Sequence, residues 1–393
     1  MLPVKEIHLL EFGEMPEIVA SAPGRIHLIG ENTWFFKDKV LSMAVDITVY
    51  VAVSKSKDNI HHFYFHQLND RKKSSTTISK CKKEDKWANA IKSVVYGFAS
   101  INHKLPGLNV TVYSQVLPSA GFGITTAIKA AFEVAVNELF NFDCTQDVFV
   151  KVLEKGNTLF LQQANHNADN YTAFFAQEGT ILVTDYYKNR YETLTLDFPD
   201  MHIFLVDTKV PRYELWDREK FYSPQHALLL GDLREENPDV YGGWQYISDI
   251  TDINETLSCV SEDIKRKLIC VIREHHDVLE SLNACKKGDF TRFARTINHS
   301  HESIRDYLNL SCPEIDWILK RVNQLEPNLE FIRNPVTCGR LTGKGFGRAL
   351  YAFIRTQDIE PFKKKLTEYE KLFGFKCDCY EVHPASGAKV IKD

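Results

Sequence analysis

At 393 residues, 44% of them hydrophobic and 25% charged, the chain has a globular composition and a length suited to about two to three domains. A disordered tail protein, a collagen-like rod and a coiled coil are thereby excluded. Lys and Arg number 48 against 52 Asp and Glu, a net charge of −4, so no basic excess marks nucleic acid or an anionic membrane as a partner, and a small molecule is expected instead.

The N-terminal stretch carries Lys5, Glu6 and His8 where a signal peptide needs an apolar run, and no run of about 18 apolar residues occurs. Nine scattered cysteines, an odd number, argue against a paired disulfide framework and make a reducing cytoplasm the expected location. Residues 40–53, rich in Val, Ile and Thr, predict a long buried strand, with 60–65 as its hairpin partner. A helix over 86–98 and a strand over 108–114 follow, then long helices over 124–140 and 146–163 and a strand over 180–186. Beyond a strand at 202–207 lies a polar stretch rich in Tyr and Arg, and helices are expected at 262–285, 290–308 and from 314. The region after residue 340 alternates again: a Gly-rich loop at 343–347, an apolar run at 349–354, a helix over 359–373 and a strand near 380. A mixed α/β chain of two domains, 1–185 and 186–393, is the expected organisation.

Three small-residue loops are candidates for chemistry. In the first, Ala22-Pro-Gly-Arg-Ile-His-Leu-Ile-Gly-Glu-Asn-Thr33, Arg25 has the forked geometry that suits a phosphate and Glu31 is an acceptor for sugar hydroxyls; a surface turn leading into a strand is the plainer reading. The second, Leu117-Pro-Ser-Ala-Gly-Phe-Gly-Ile-Thr-Thr-Ala127, runs straight into a helix whose first amides would face an anion. Thr125 and Thr126 there either reach a phosphate oxygen or Mg²⁺, or cap the helix. No Gly-Lys-Ser or Gly-Lys-Thr follows, so this is not a Walker loop. The third, Thr342-Gly-Lys-Gly-Phe-Gly-Arg348, is a weak signal by itself. Asp169 lies in a polar island, 165–171, where a cap or turn role competes with that of a base. Two further groups, His61 with His62 and His66, and Cys377 with Cys379 and His383, lack ligand spacing for a tetrahedral metal site.

Together these segments resemble the GHMP kinase superfamily, and galactokinases within it. Gly24-Arg-Ile-His-Leu-Ile-Gly-Glu31 is similar to the signature Gly-Arg-Val-Asn-Leu-Ile-Gly-Glu-His-Thr-Asp-Tyr, and Arg340-Leu-Thr-Gly-Lys-Gly-Phe-Gly347 to Arg-Met-Thr-Gly-Ala-Gly-Phe-Gly. Residues 298–316, Trp87-Ala-Asn-Ala-Ile-Lys92 and Pro384-Ala-Ser-Gly-Ala-Lys-Val-Ile391 match as well, in order, over residues 20–391. The resemblance implies a two-domain α/β fold with ATP and a sugar in the inter-domain cleft, and transfer of the γ-phosphoryl group to the anomeric hydroxyl. It implies Asp169 as catalytic carboxylate with Arg25 as partner, and a sugar side made of Glu31, Asn32, Trp34, His166 and, on a poorer alignment, Tyr222. It places Trp87 beside the adenine, Gly121, Gly123, Thr125 and Thr126 on the phosphates, and Thr126 at Mg²⁺.

The departures fall within the site. Trp34 stands where the signature has Asp, and His166 where a Gly lets the sugar approach. Ala120 and Phe122 occupy two glycine positions of the phosphate loop, with Gly121 and Gly123 one step out of phase, and Ile124 replaces a serine. Asn157 replaces the Glu expected to face Mg²⁺. Besides galactose phosphorylation, these changes leave open a kinase for another small sugar or polyol, and a catalytically silent sugar or nucleotide sensor.

Overall fold

The computed structural model describes residues 3–32, 38–78, 80–163, 165–211, 262–325, 333–343 and 347–392, apart from the side chains of 263, 264 and 268. Trp34, Tyr222 and most of the Gly-rich loop at 343–347 lie outside the described residues. In chain order the elements are α1 (Pro3–Phe12), β1 (Ile18–Ile29), β2 (Lys39–Lys55), β3 (Ile60–Phe65), β4 (Asp70–Ser75), α2 (Ala88–Ser100), β5 (Leu108–Ser114), α3 (Ile124–Phe140), α4 (Gln146–Lys155), α5 (Asn167–Phe175) and β6 (Thr180–Asp185). There follow β7 (Arg190–Thr195), β8 (Met201–Asp207), α6 (Glu262–Lys287), α7 (Phe290–Asp306), α8 (Pro313–Asn323), β9 (Cys338–Leu341), β10 (Ala349–Arg355), α9 (Ile359–Phe373), β11 (Asp378–Val382) and β12 (Lys389–Val390).

These elements form two compact units that are not contiguous in sequence. One holds residues 1–26, 42–182 and 383–393, the other 27–41 and 183–382, whereas the sequence reading has a single cut at 185. The physical reason for the return of 383–393 is pairing: β12 is antiparallel to β1, with Ala20 opposite Val390, and Pro384 bridges Val45.

In the first unit the strands run in the order β12-β1-β2-β5-β3-β4, and β6 also pairs with β2. The expected hairpin between 40–53 and 60–65 does not form. β2 pairs antiparallel with β5, and β3 lies parallel to β5 and antiparallel to β4. Strand β4, Asp-Arg-Lys-Lys-Ser-Ser, has no apolar residue to announce it. It alternates half-buried and exposed positions at the sheet edge, where charged side chains are tolerated because one side of the ladder faces water. Helices α2 to α5 pack together beside this sheet. The helix expected over 146–163 ends at Lys155 and passes into a π-helical turn over 156–160. Gly156 lets that turn meet α2, since a Cβ there would collide with the Ser93 carbonyl.

Helix α1, which sequence periodicity did not reveal, lies on β5. Its buried His8 bonds Thr111 Oγ1 at 2.9 Å and Ser54 Oγ at 3.1 Å. Burial pushes the His8 imidazole down to about 4. His61, stacked on Phe63, is lowered to about 4 for the same reason.

The second unit is built on the antiparallel sheet β11-β8-β10-β9. Its core joins Phe204, Val206, Leu350 and Ala352 of the sheet to Ile304 of α7, Ile315 and Ile318 of α8, and Phe362 and Leu366 of α9. Residues 27–29 are held here by Tyr351, whose hydroxyl donates to the Leu28 carbonyl at 2.5 Å.

Candidate active site

Arg25 sits within a continuously buried stretch of β1. Its position follows from close backbone packing: its amide donates to the Phe122 carbonyl at 2.7 Å, and a Cβ on the preceding Gly24 would lie 3.0 Å from that same oxygen. The loop of residues 118–123 is therefore laid directly against the strand. Gly121 and Gly123 both take left-handed backbone, at φ 93° and 72°, a region that L side chains enter only at a penalty. Gly123 caps α3 and touches Arg25, because a Cβ there would stand 3.0 Å from Arg25 Cβ and 3.3 Å from Nε.

Helix α3 begins at Ile124, so Thr125 and Thr126 lie in its first turn, the former exposed and the latter half-buried. With glycine at the cap, no side chain caps the helix. Its first amides project at the loop, the arrangement that attracts anions.

Asp169 arrives from a different direction, in the first turn of α5. Its amide donates to the His166 carbonyl at 3.0 Å, so His166 serves the helix through its backbone. Residues 387 and 388 lace this helix to the C-terminal segment: the amides of Gly387 and Ala388 donate to Ala176 and Ala173 at 2.9 and 2.7 Å. The result is an ion pair of Asp169 Oδ2 with Arg25 Nη2 at 2.9 Å, with side chains 19% and 10% exposed. Arg25 Nε and Nη1 are buried and have no hydrogen-bond acceptor among the described residues. A guanidinium with two buried donors in hand, beside a carboxylate, a glycine loop and a helix N-terminus, is equipped to meet an anion.

Trp87 is half-buried just before α2; its indole donates to Asp70 Oδ2 at 2.8 Å and its ring meets Phe65 edge to face. Asn157 is held by an ammonium rather than a metal-facing carboxylate: its Oδ1 accepts from Lys129 Nζ at 2.6 Å. The two groups set aside for lack of metal spacing are dispersed into pairs, His62 with Asp58 and His383 with Asp46.

In the second unit Glu31 lies in a buried ionic network that sequence reasoning missed. Arg340, fully buried, donates through Nη1 to Glu31 Oε1 at 2.6 Å, through Nη2 to Glu274 Oε1 at 2.8 Å and through Nε to Ser300 Oγ at 2.8 Å. Glu274 Oε1 also accepts the Gly30 amide at 3.0 Å. Burial pushes the Glu274 carboxyl up to about 7 against the pull of Arg340. Glu31 Oε2 and Asn32 Nδ2 are buried without a partner among the described residues. The missed signal is the charge of Glu274 within the helical pattern of α6, which buries it completely.

The fold matches solved members of one superfamily. The structure superposes on Lactococcus lactis galactokinase complexed with galactose over 98% of each chain, with a TM-score of 0.83 at 18% identity. It also superposes on Methanococcus jannaschii mevalonate kinase over 94% of this chain and 98% of that one, at 0.65 and 14%. The chain thus has the two-domain α/β fold of the GHMP kinases. Within that class, the galactokinase galactose-binding signature matches residues 6–55. A candidate galactokinase of Treponema pallidum is 37% identical over 397 residues, covering 100% of this chain and 97% of that protein. Thermotoga maritima galactokinase is 27% identical over 371 residues, with 94% and 99% covered. The chain belongs to the galactokinase family.

Proposed function

We propose that the chain transfers the γ-phosphoryl group of ATP to the anomeric hydroxyl of galactose or a closely related sugar. The observation that carries this reading is the Arg25–Asp169 pair, with two further buried donors of Arg25 beside the Gly121–Gly123 loop. In the reaction the anomeric oxygen attacks the γ-phosphorus, its proton passes to Asp169, and the bond to the leaving ADP breaks. Because the transition state of such transfers is loose, catalysis rests mainly on alignment and charge neutralisation. Arg25 pairs with Asp169 and meets the phosphoryl oxygens, while the loop amides and the hydroxyls of Thr125 and Thr126 take the remaining phosphates. Trp87 flanks the adenine with its ring, its N–H being committed to Asp70.

Sugar hydroxyls are assigned to Glu31 Oε2 and Asn32 Nδ2, the polar atoms left over when Arg340 has taken Glu31 Oε1. Trp34, His166 and Tyr222 complete the sugar side by resemblance. For Mg²⁺, the donors fit an ion carried mainly on nucleotide oxygens and water, with the Thr126 hydroxyl as protein ligand. They do not fit one held by a carboxylate at position 157, where an amide oxygen is bound to an ammonium. When present, the dication would neutralise phosphate charge. No helix among the described residues is long and apolar enough to cross a membrane, and a cytoplasmic setting without nucleic-acid or membrane partners completes the proposal.

The test is ADP release from ATP across galactose, its epimers, amino sugars and polyols, with Asp169→Asn alongside. Turnover on one or more sugars that falls by about 10³-fold or more in the variant is expected for loss of the base and its charge. Turnover unchanged in Asp169→Asn refutes the assignment. No turnover on any compound, together with sugar-dependent nucleotide binding, would make the chain a sensor rather than a kinase.

A further inference from the structure

Residues 298–316, which the resemblance singles out and the reaction above leaves unused, reach into the buried network around Arg340. Ser300 of α7 is fully buried; its hydroxyl donates to Glu274 Oε2 at 2.5 Å and accepts from Arg340 Nε at 2.8 Å. Asn298 of the same helix accepts the Gly339 amide at 3.2 Å, which holds β9, and with it Arg340, against α7.

A guanidinium is costly to bury unless its arms find acceptors, and here each nitrogen has one. Nε meets Ser300, Nη2 meets Glu274 Oε1 at 2.8 Å, and Nη1 meets Glu31 Oε1 at 2.6 Å and the Leu341 carbonyl at 3.2 Å. The pair with Glu31 is therefore end-on. Arginine and a carboxylate left to themselves favour a fork, two parallel N–H donors on two oxygens. With Nη1 on Glu31, Nη2 is the nitrogen that would close the fork, and it is committed to Glu274, while Ser300 holds Nε and stops the group from turning. Glu31 Oε2 is thereby left buried with no donor among the described residues. Glu274 also fixes the main chain next to Glu31, since its Oε1 accepts the Gly30 amide at 3.0 Å. Gly30 has φ 96°, and a Cβ there would collide with the Lys39 carbonyl.

We propose that Glu274 and Ser300 are positioning residues for sugar recognition: by occupying Nη2 and Nε of Arg340 they hold its pair with Glu31 to one oxygen and keep the other as an acceptor for a sugar hydroxyl. This rests on the reading of Glu31 as a sugar ligand. Both residues are fully buried and act only through Arg340. Their removal frees the guanidinium to close the fork, and the site loses its acceptor for one hydroxyl while Glu31 itself is still present.

The experiment is calorimetric titration of the full chain with galactose, with each monodeoxygalactose and, separately, with ATP. The proteins compared are wild type, Glu31→Met, Glu274→Leu, Glu274→Gln and Ser300→Ala. In the wild type the analogue lacking the hydroxyl that meets Glu31 should bind about tenfold to a hundredfold more weakly than galactose, the scale of one hydrogen bond to a charged group. Glu31→Met identifies that analogue by abolishing the contrast. Glu274→Leu should largely erase the same contrast with ATP affinity unchanged; Ser300→Ala should reduce it too, and decides the matter if Glu274→Leu does not fold. Glu274→Gln, whose amide oxygen can still accept from Nη2 and from Gly30, should retain most of it. A wild-type contrast in both Glu274→Leu and Ser300→Ala, whether or not galactose and all its analogues bind more weakly alike, would overturn the positioning role and leave Glu31 in place. No contrast abolished by Glu31→Met, or no galactose binding by the wild type, would overturn the sugar-side reading on which it rests.

Discussion

Replacing Arg340 by Met tests the ionic network of the second unit through its pH dependence. In the wild type the guanidinium faces two carboxylates, Glu31 at 2.6 Å and Glu274 at 2.8 Å, the latter with no exposed side-chain surface. Methionine fills much of the same volume but leaves both acids buried without their cation, a change that costs about 3–5 kcal/mol. The sign with pH follows from Glu274. Even beside Arg340 its carboxyl sits near 7 when folded against 4.5 as the ordinary value, so it favours the fold at acid pH. That contribution is present below pH 4.5 and is lost as pH rises through 7, roughly 3 kcal/mol over the interval at about 1.4 kcal/mol per unit. Without Arg340 the ionised form becomes still less acceptable, so the lost stability should be small near pH 5 and greatest at pH 8. Urea unfolding of both proteins at several pH values, followed by circular dichroism, reads the difference directly. A deficit that is the same at pH 5 and pH 8 would refute the reasoning, because it would mean that neither carboxylate is left ionised and buried.

Two further outcomes follow from the first unit. Gly123→Ala places a side chain at φ 72° and 3.0 Å from Arg25 Cβ; besides backbone strain of about 1–2 kcal/mol, the displaced guanidinium should lower kcat by about 10²-fold, and wild-type kcat in steady-state assays would contradict the contact. His8 is neutral in the fold at about 4 but takes up a proton near 6.5 when unfolded. Stability should therefore fall as pH drops from 6.5 towards 4, by up to roughly 3 kcal/mol from this residue. His8→Gln should flatten that limb in urea titrations, and an unchanged slope would exclude His8 as its source.

The sequence conveyed the apolar strands and amphipathic helices because their burial is written in residue spacing: 60–65, 108–114, 349–354 and 359–373 coincide with β3, β5, β10 and α9. Partners were less legible. β5 rather than β3 lies beside β2, a long-range pairing that no local period reports, and the charged edge strand β4 has no apolar period. Arg25 stood out in its loop, but its pairing with Asp169 and the catalytic role of that aspartate came through the resemblance, since the local pattern around Asp169 also reads as a helix cap, and the aspartate does lie in a first helical turn.

The discontinuous first unit has a consequence for synthesis. Its β1 edge is closed by β12, and the amides of Gly387 and Ala388 clamp the helix that bears Asp169, yet residues 183–382 of the other unit are translated in between. At about 5–20 residues per second, a nascent chain waits on the order of 10–40 s with that edge open. During that interval the exposed strand offers its unpaired backbone to any chaperone or neighbouring chain able to add a strand.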